Sequence, residues 1–246
     1  MGEQSVWSPR FARWSIVLGV LALTTAGLGL TLARYDVIGK LAGFSALLGG
    51  GLIALVAFLL GVAALVAGRK HPPQSRGTLL AAMGISLAYV GFLATRPMVA
   101  GDAPAIHDVT TDLADPPRFE LLPLRADNLA GVGTVENWRR IHAAAYGDLR
   151  PIVIARPARD VVQDAERLAR AAGWRIAVSD PARGHIEATA SVSYIRFQDD
   201  VVIRILPIAD GAQSRVDMRS VSRVGVGDLG VNAKRVRAFL KALADT

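Results

Sequence analysis

The chain has 246 residues, of which 52% are hydrophobic, and a formal net charge of +7. Residues 1–96 hold eight Lys or Arg and two Asp or Glu, a net charge of +6, whereas residues 97–246 hold twenty and nineteen, a net charge of +1. A nucleic-acid-binding protein carries its basic charge on the folded domain that makes the contact, so this distribution argues against nucleic acid as a partner. The chain has no cysteine, which excludes a disulfide framework and a thiolate metal site.

Three uncharged stretches dominate the N-terminal part of the chain: residues 14–33, 41–67 and 77–95, which are 20, 27 and 19 residues long. Because a membrane-spanning helix needs about 20 mostly apolar residues, they predict three spans. The first stretch is long for a signal peptide and no clear cleavage motif follows it, so we expect it to remain in the chain. Transporters place ionisable residues within their spans, and these stretches have none. Residues 1–96 are therefore predicted to form a three-helix membrane anchor.

The basic residues that flank the spans indicate an orientation, because Lys and Arg are enriched in cytoplasmic loops. With the N-terminus in the cytoplasm, five basic residues lie on the cytoplasmic side and three on the other. The five are Arg10, Arg13, Arg69, Lys70 and Arg76, and the three are Arg34, Lys40 and Arg96. The bias predicts a multi-pass protein of a bacterial inner membrane, with the lipid bilayer as a partner and residues 97–246 outside the cytoplasm.

Residues 97–133 are predicted to form an extended linker. The segment is rich in Asp and Pro, and the Pro-Pro pair after Asp115 favours a stiff, extended path. His107, Asp108 and Asp112 are the candidate ligands of a metal site within it. Metal ligands have to converge, and no periodic element here aims these side chains at one point, so turn formation is the favoured explanation.

From residue 134 onward, short periodic segments alternate with turn residues. Thr134 is placed as the N-cap of a helix that continues to Ala145. A short strand at residues 152–154 precedes a second helix, which begins at Asp160 and stops at Gly173.

Four runs of alternating apolar and polar residues follow the second helix, and then a last helix. The runs cover residues 174–178, 186–192, 201–205 and 213–224, and the turn between the last two is Asp210-Gly211. Strands joined by tight turns are antiparallel. We therefore predict an α+β domain over residues 134–246, in the order β-α-β-β-β-β-α, with helices on one face of an antiparallel sheet.

Residues 225–230, Gly-Val-Gly-Asp-Leu-Gly, match the G-x-G-x-x-G pattern of a dinucleotide-binding turn. Such a turn joins the first two elements of a βαβ unit, with an acidic residue about 20 positions later. Only 16 residues follow Gly230, and the last helix uses them. The match is interpreted as chance: Gly225 and Gly230 allow a sharp turn, and Asp228 caps the helix that follows.

Alternation along the last strand predicts one charged face and one mixed apolar face. The charged face holds Arg215, Asp217, Arg219, Val221 and Arg223, and the mixed face holds Val216, Met218, Ser220, Ser222 and Val224. The favoured interpretation of the charged face is a solvated surface with weak ion pairs. The functional alternative is a surface that receives an anion, since Arg makes paired contacts to phosphate or carboxylate.

In the functional alternative, Arg219, Arg223 and Arg235 approach one another, with Ser220 and Ser222 beside them. Arg219 and Arg223 are expected to lie roughly 13 Å apart along the strand. Such a cluster requires an anion between the guanidinium groups. The internal candidates are Asp217 and Asp228, and the external candidate is an anionic lipid or another envelope anion.

Three segments resemble a known family. "VDMRSVSRVGVGDLGVNAKRVRAFL", "IHDVTTDLADPPRF" and "AAYGDLRPI" are similar to segments of the bacterial and plastid family called domain of unknown function 1499, in its membrane-anchored bacterial form. The resemblance covers about residues 104–244. It carries over to nine motif positions: Arg219, Ser220, Ser222, Arg223, Gly225, Asp228, Gly230, Asn232 and Arg235. It implies a shared domain and no particular biochemical activity.

The sequence contains no recognised catalytic set: H-E-x-x-H, G-x-S-x-G and the P-loop are absent, and four histidines, His71, His107, His142 and His185, are scattered. We expect no cofactor. The favoured hypothesis is a non-enzymatic binding or scaffolding module of the cell envelope. The alternative is a metal-dependent envelope hydrolase that uses the Asp-rich linker.

Overall fold

The computed structural model describes residues 7–69, 76–96, 98 and 101–246. The chain divides into two compact units, residues 1–99 and 100–246. Lys70 and His71 lie outside the described residues.

The N-terminal unit contains three helices, α1 (Trp7–Arg34), α2 (Lys40–Ala67) and α3 (Arg76–Ala94), each long and apolar enough to cross a membrane. The three predicted spans are therefore confirmed as helices. Small residues let α1 and α2 pack closely, because a Cβ atom at Gly43 would collide with Ala33. The Ser15 hydroxyl donates a hydrogen bond to the Ala57 carbonyl (2.7 Å), which joins the same two helices.

The C-terminal unit is an α+β domain with a six-stranded antiparallel sheet. Its elements in chain order are β1 (Asp108–Thr110), α4 (Val135–Tyr146), β2 (Ile152–Ile154), α5 (Ala158–Ala171), β3 (Arg175–Asp180), β4 (His185–Val192), β5 (Phe197–Ile208), β6 (Gln213–Ser222) and α6 (Val231–Ala244). The strand order is β1-β6-β5-β4-β3, and β2 also pairs with β6. The predicted fold class is confirmed.

One face of the sheet packs against the three helices of this domain. Ile203 of β5 and Met218 of β6 are fully buried there, with Val162 of α5 and Leu240 of α6 in the same core. Thr134 caps α4 as predicted, because its hydroxyl accepts a hydrogen bond from the Asn137 N–H (3.1 Å). Apolar alternation and turn chemistry thus account for the helix-covered half of the domain.

The other face of the sheet is covered by an irregular segment, residues 112–125, here named the strap. Its contacts reach from β6 to β4: Arg215 donates to the Asp112 carboxylate (2.8 Å), and the Leu122 N–H donates to the Glu187 carboxylate (2.6 Å). Asp217 lies beneath it with 0% exposure. The interpretation of this face as solvated is therefore wrong for its centre, because a segment distant in sequence shields Asp217 and Val221 from water.

Two further details differ from the sequence-based expectation. Within the residues predicted to be a linker, Asp108–Thr110 form β1, paired with residues 219–221 of β6 and fully buried; three residues are too few for a periodic signal. Asp199 and Asp200, which precede the predicted strand at residues 201–205, lie inside β5 and are 2% and 5% exposed. Adjacent strand residues point to opposite faces, and each of these carboxylates has an arginine partner.

Candidate functional site

Arg219 lies on the strap-covered face and is paired internally. Its Nε and Nη2 donate to the two carboxylate oxygens of Asp108 on β1 (2.9 and 2.6 Å), a bidentate ion pair. Nη1 donates to the Pro117 carbonyl of the strap (3.3 Å), and the guanidinium lies 5.9 Å from the centre of the Phe119 ring. Asp108 is 2% exposed. The pair therefore fixes β1, β6 and the strap to one another.

Arg223 follows β6 on the same face and also has an internal partner. Its Nε and Nη2 donate to both oxygens of Asp200 (2.8 Å each), and Nη1 donates to the Gln198 side-chain oxygen (2.6 Å). Arg223 and Asp200 border a hollow of about 20 Å³ under the strap. That is room for a single water molecule, so this hollow has no space for an organic ligand.

Arg235, Ser220 and Ser222 lie on the opposite, helix-covered face of β6. Arg235 Nη2 donates to Asp199 (2.6 Å) and Nη1 to the Ser220 hydroxyl (2.9 Å). The Asn232 amide group donates to the Ser222 hydroxyl (2.9 Å), and its oxygen accepts from Ser220 (2.7 Å). These side chains are buried and satisfy one another. They form a hydrogen-bond network that links β6 to α6.

The structure thus does not bring the three predicted arginines together. Arg219 and Arg223 are separated from Arg235 by the sheet itself. Their carboxylate partners are Asp108, Asp200 and Asp199, instead of Asp217 and Asp228. Asp217 pairs with Arg204 and Arg215 (3.3 and 3.1 Å).

The turn at residues 225–230 has the structural role predicted for it. Gly225 and Gly230 have φ angles of +89° and +77°, in the region that favours glycine. The Asp228 carboxylate accepts hydrogen bonds from the N–H groups of Gly230 (2.9 Å) and Asn232 (2.6 Å) at the start of α6. Burial raises the pKa of Asp228, and these two backbone N–H groups oppose that rise. Asp228 therefore caps α6 from a desolvated position.

The candidate metal ligands do not form one ligand set. Asp108 is held by Arg219 and by the Asn128 amide group (2.6 Å), and Asp112 is held by Arg215. The His107 ring contacts the Asn128 side-chain oxygen (3.2 Å). Over residues 7–69, 76–96, 98 and 101–246, no group of three or more His, Cys, Asp or Glu side chains is arranged to hold a metal ion.

An open groove of about 510 Å³ lies beside the Asp108–Arg219 pair, between the end of the strap and α4. Its volume is in the range of small-molecule sites. Its lining combines seven apolar residues with six polar or charged ones: Pro116, Leu124, Ala126, Leu129, Ala130, Val135 and Trp138 with Asp108, Arg125, Asp127, Asn128, Arg139 and Arg219. Of the residues predicted to bind a ligand, Arg219 alone lines it.

Three arginines and two aspartates border the groove, and the two aspartates are already paired. Arg125 binds Asp127 (2.6 Å), which lowers the pKa of that carboxyl to about 2. Asp108 is occupied by Arg219. Arg139 donates Nε to the Leu113 carbonyl (3.1 Å), and its terminal amino groups have no partner within the described part of the chain. The lining therefore carries one uncompensated positive charge.

Sequence reasoning did not identify the α4 side of the groove or the anchor of the strap. Trp138, His142 and Tyr146 are spaced by four residues and form a buried face of α4. This spacing is visible in the sequence, so Trp138 could have been predicted as a buried residue. Nothing in the sequence pattern distinguishes Arg139 from its neighbour Arg140. Glu187 is fully buried on the strap-covered face, where a strand pattern alone predicts an exposed glutamate.

Comparison with protein families identifies the C-terminal domain. The sequence profile of a family described as "Protein of unknown function (DUF1499)" matches residues 108–243, more than half of the chain. Neither the search of curated proteins nor the search of solved structures finds a match. The match begins at β1 and ends within α6, so it includes the strap and the groove. The chain therefore belongs to the DUF1499 family.

Proposed function

We propose that this protein is a membrane-anchored, non-enzymatic binding module of the bacterial cell envelope, with the groove beside Asp108 and Arg219 as its ligand site. The observation that carries the proposal is the groove itself, with a volume of about 510 Å³ and a mixed apolar and charged lining. Ligand sites are typically concave, largely apolar and marked by a few placed polar groups. The three apolar helices support attachment to a membrane.

Location in the inner membrane and the position of the C-terminal domain outside the cytoplasm belong to the same proposal. They are supported by the five-to-three distribution of flanking Lys and Arg residues. A module in this position meets lipids and other envelope components, and these are the compounds among which we place its ligand.

The proposal is tested by filling the groove. Ala126→Trp introduces a large side chain at the groove wall. Ala182→Trp is the matched control, because Ala182 is an exposed residue of the β3–β4 turn outside the groove. Full-length wild type and both variants are purified from the membrane, and co-purifying small molecules are identified by mass spectrometry. We expect a compound that is present in wild type and Ala182→Trp and absent from Ala126→Trp. The proposal would be contradicted if the same compounds co-purified with all three proteins.

A further inference from the structure

We infer that the groove takes a single-chain amphiphile with an anionic head, such as an alkyl phosphate or a fatty acid. The inference rests on the proposed function, since it names the ligand class of the same site. Two features of the lining carry it: apolar side chains that remain partly exposed, and a cationic rim whose charge is not balanced.

The apolar wall is made by the end of the strap and the first turns of α4. Leu124 at the end of the strap is 42% exposed and Val135 in the first turn of α4 is 38% exposed, and both line the groove. Trp138 also lines the groove, although it is only 5% exposed, and its indole N–H donates to the Asp108 carbonyl (2.9 Å), which holds the ring in place. Burial of this surface by an alkyl chain contributes about 25 cal/mol per Å², so the wall favours an apolar chain over a polar one.

The charged rim selects the head group. Arg139 donates Nε to the Leu113 carbonyl (3.1 Å), and its guanidinium forms no ion pair with a carboxylate in the described part of the chain. Both lining carboxylates already bind an arginine, Asp108 with Arg219 and Asp127 with Arg125. A cationic head would have to displace one of these arginines, whereas an anionic head can bind Arg139 directly.

The absence of native cysteine permits a site-specific measurement on the full-length protein. Val135→Cys places one thiol at the groove, and Val153→Cys places one on the exposed strand β2, where Val153 is 59% exposed and does not line the groove. Each protein is reconstituted in nanodiscs of phosphatidylcholine and labelled with a water-soluble maleimide. The probe is dodecyl phosphate. We expect it to slow labelling at position 135 about tenfold at ten times its dissociation constant, and to leave position 153 unchanged.

Head and chain are separated by two further probes, dodecyltrimethylammonium and inorganic phosphate, neither of which is expected to protect Cys at position 135. Arg139→Gln in the Val135→Cys background is expected to abolish protection by dodecyl phosphate. Arg140→Gln is the matched control, because Arg140 is the next exposed arginine of α4 and binds Asn137. Equal labelling of the variants without probe shows that the groove is intact.

Each contrary result overturns a defined part of the inference. Equal protection by both amphiphiles rejects the anionic head, and equal protection by inorganic phosphate rejects the alkyl chain. Protection at position 153 as well as 135 shows a bilayer effect and rejects the site. If no probe protects position 135, the ligand class is wrong. The proposed function then stands only if wild type still carries a compound that Ala126→Trp lacks.

Discussion

Replacement of Glu187 by Gln tests whether a buried carboxylate holds the strap on the sheet. Glu187 is on β4 and is 0% exposed. One carboxylate oxygen accepts from the N–H groups of Glu120 (2.5 Å) and Leu121 (3.1 Å) and contacts His185 Nε2 (2.8 Å), and the other accepts from Leu122 (2.6 Å). An amide group has only one acceptor oxygen, so Glu187→Gln must place an N–H donor against a strap N–H in either orientation.

The magnitude follows from these bonds. The less costly amide orientation retains the acceptor for Glu120 and loses the bond to Leu122. A hydrogen bond to a charged group contributes about 1.5–3 kcal/mol, and a buried donor without an acceptor costs about 1–3 kcal/mol. The two figures describe the same lost contact, so we expect the variant to weaken strap closure by about 2–3 kcal/mol. At about 1.36 kcal/mol per factor of ten, amide exchange at residues 120–122 should accelerate about 30- to 150-fold.

The assay is hydrogen–deuterium exchange of full-length protein in nanodiscs, read on peptides that contain residues 120–122. Glu136→Gln is the control, because Glu136 is an exposed glutamate in the first turn of α4. Unchanged exchange at residues 120–122 in Glu187→Gln would refute the reasoning.

The same contact has a pH dependence. Burial of Glu187 raises its pKa, but the N–H groups of Leu122 and Glu120 and the His185 ring outweigh burial and lower the pKa below its usual value of 4.5. A carboxyl with a lowered pKa in the folded state stabilises that state fully above its unfolded pKa, and this stabilisation is lost as the pH falls through the folded pKa. Protection of the strap amides should therefore be retained in wild type above pH 4.5 and decline below it, whereas Glu187→Gln lacks this step.

Four further predictions concern the cap, the ion pair, a buried histidine and the topology. Asp228→Ala removes two hydrogen bonds at the start of α6 and should lower the unfolding free energy by about 0.5–2 kcal/mol; an unchanged thermal melt with lost ligand binding would instead place Asp228 in the site. Arg223→Gln deprives the buried Asp200 of its bidentate partner and should cost about 1–3 kcal/mol in urea unfolding without added lipid, and unchanged stability would contradict the internal pairing. Burial lowers the pKa of His142 to about 4 from 6.5, so the unfolded state binds a proton at a higher pH than the folded state does. The unfolding free energy of wild type should therefore fall by about 3 kcal/mol between pH 6.5 and 4 relative to His142→Gln, and thermal melts across that range measure this difference. A reporter fused to Thr246 and active only outside the cytoplasm should be active, and activity of a cytoplasmic reporter in its place would reverse the orientation.

The sequence by itself determined the parts of this protein whose signals are local. Continuous apolar stretches marked the three long helices, and alternation with turn residues marked β3 to β6 and the hairpin at Asp210-Gly211. The turn at residues 225–230 was identified correctly because too few residues follow it for a βαβ unit, and Asp228 was assigned as a cap from its position alone. These features depend on interactions between residues a few positions apart.

The tertiary structure decided the arrangement of the charged groups, because their partners are distant in sequence. Asp108 and Arg219 are 111 positions apart, and Glu187 and the Leu122 N–H are 65 apart. Alternation showed which face of β6 holds Arg219, but it did not show that the strap covers that face and supplies its carboxylates. The strap itself has almost no regular structure, so it has no periodic signal. The path of the strap forms the groove, and therefore only the folded chain shows that Arg139, among the arginines that line the groove, has no carboxylate partner within the described residues.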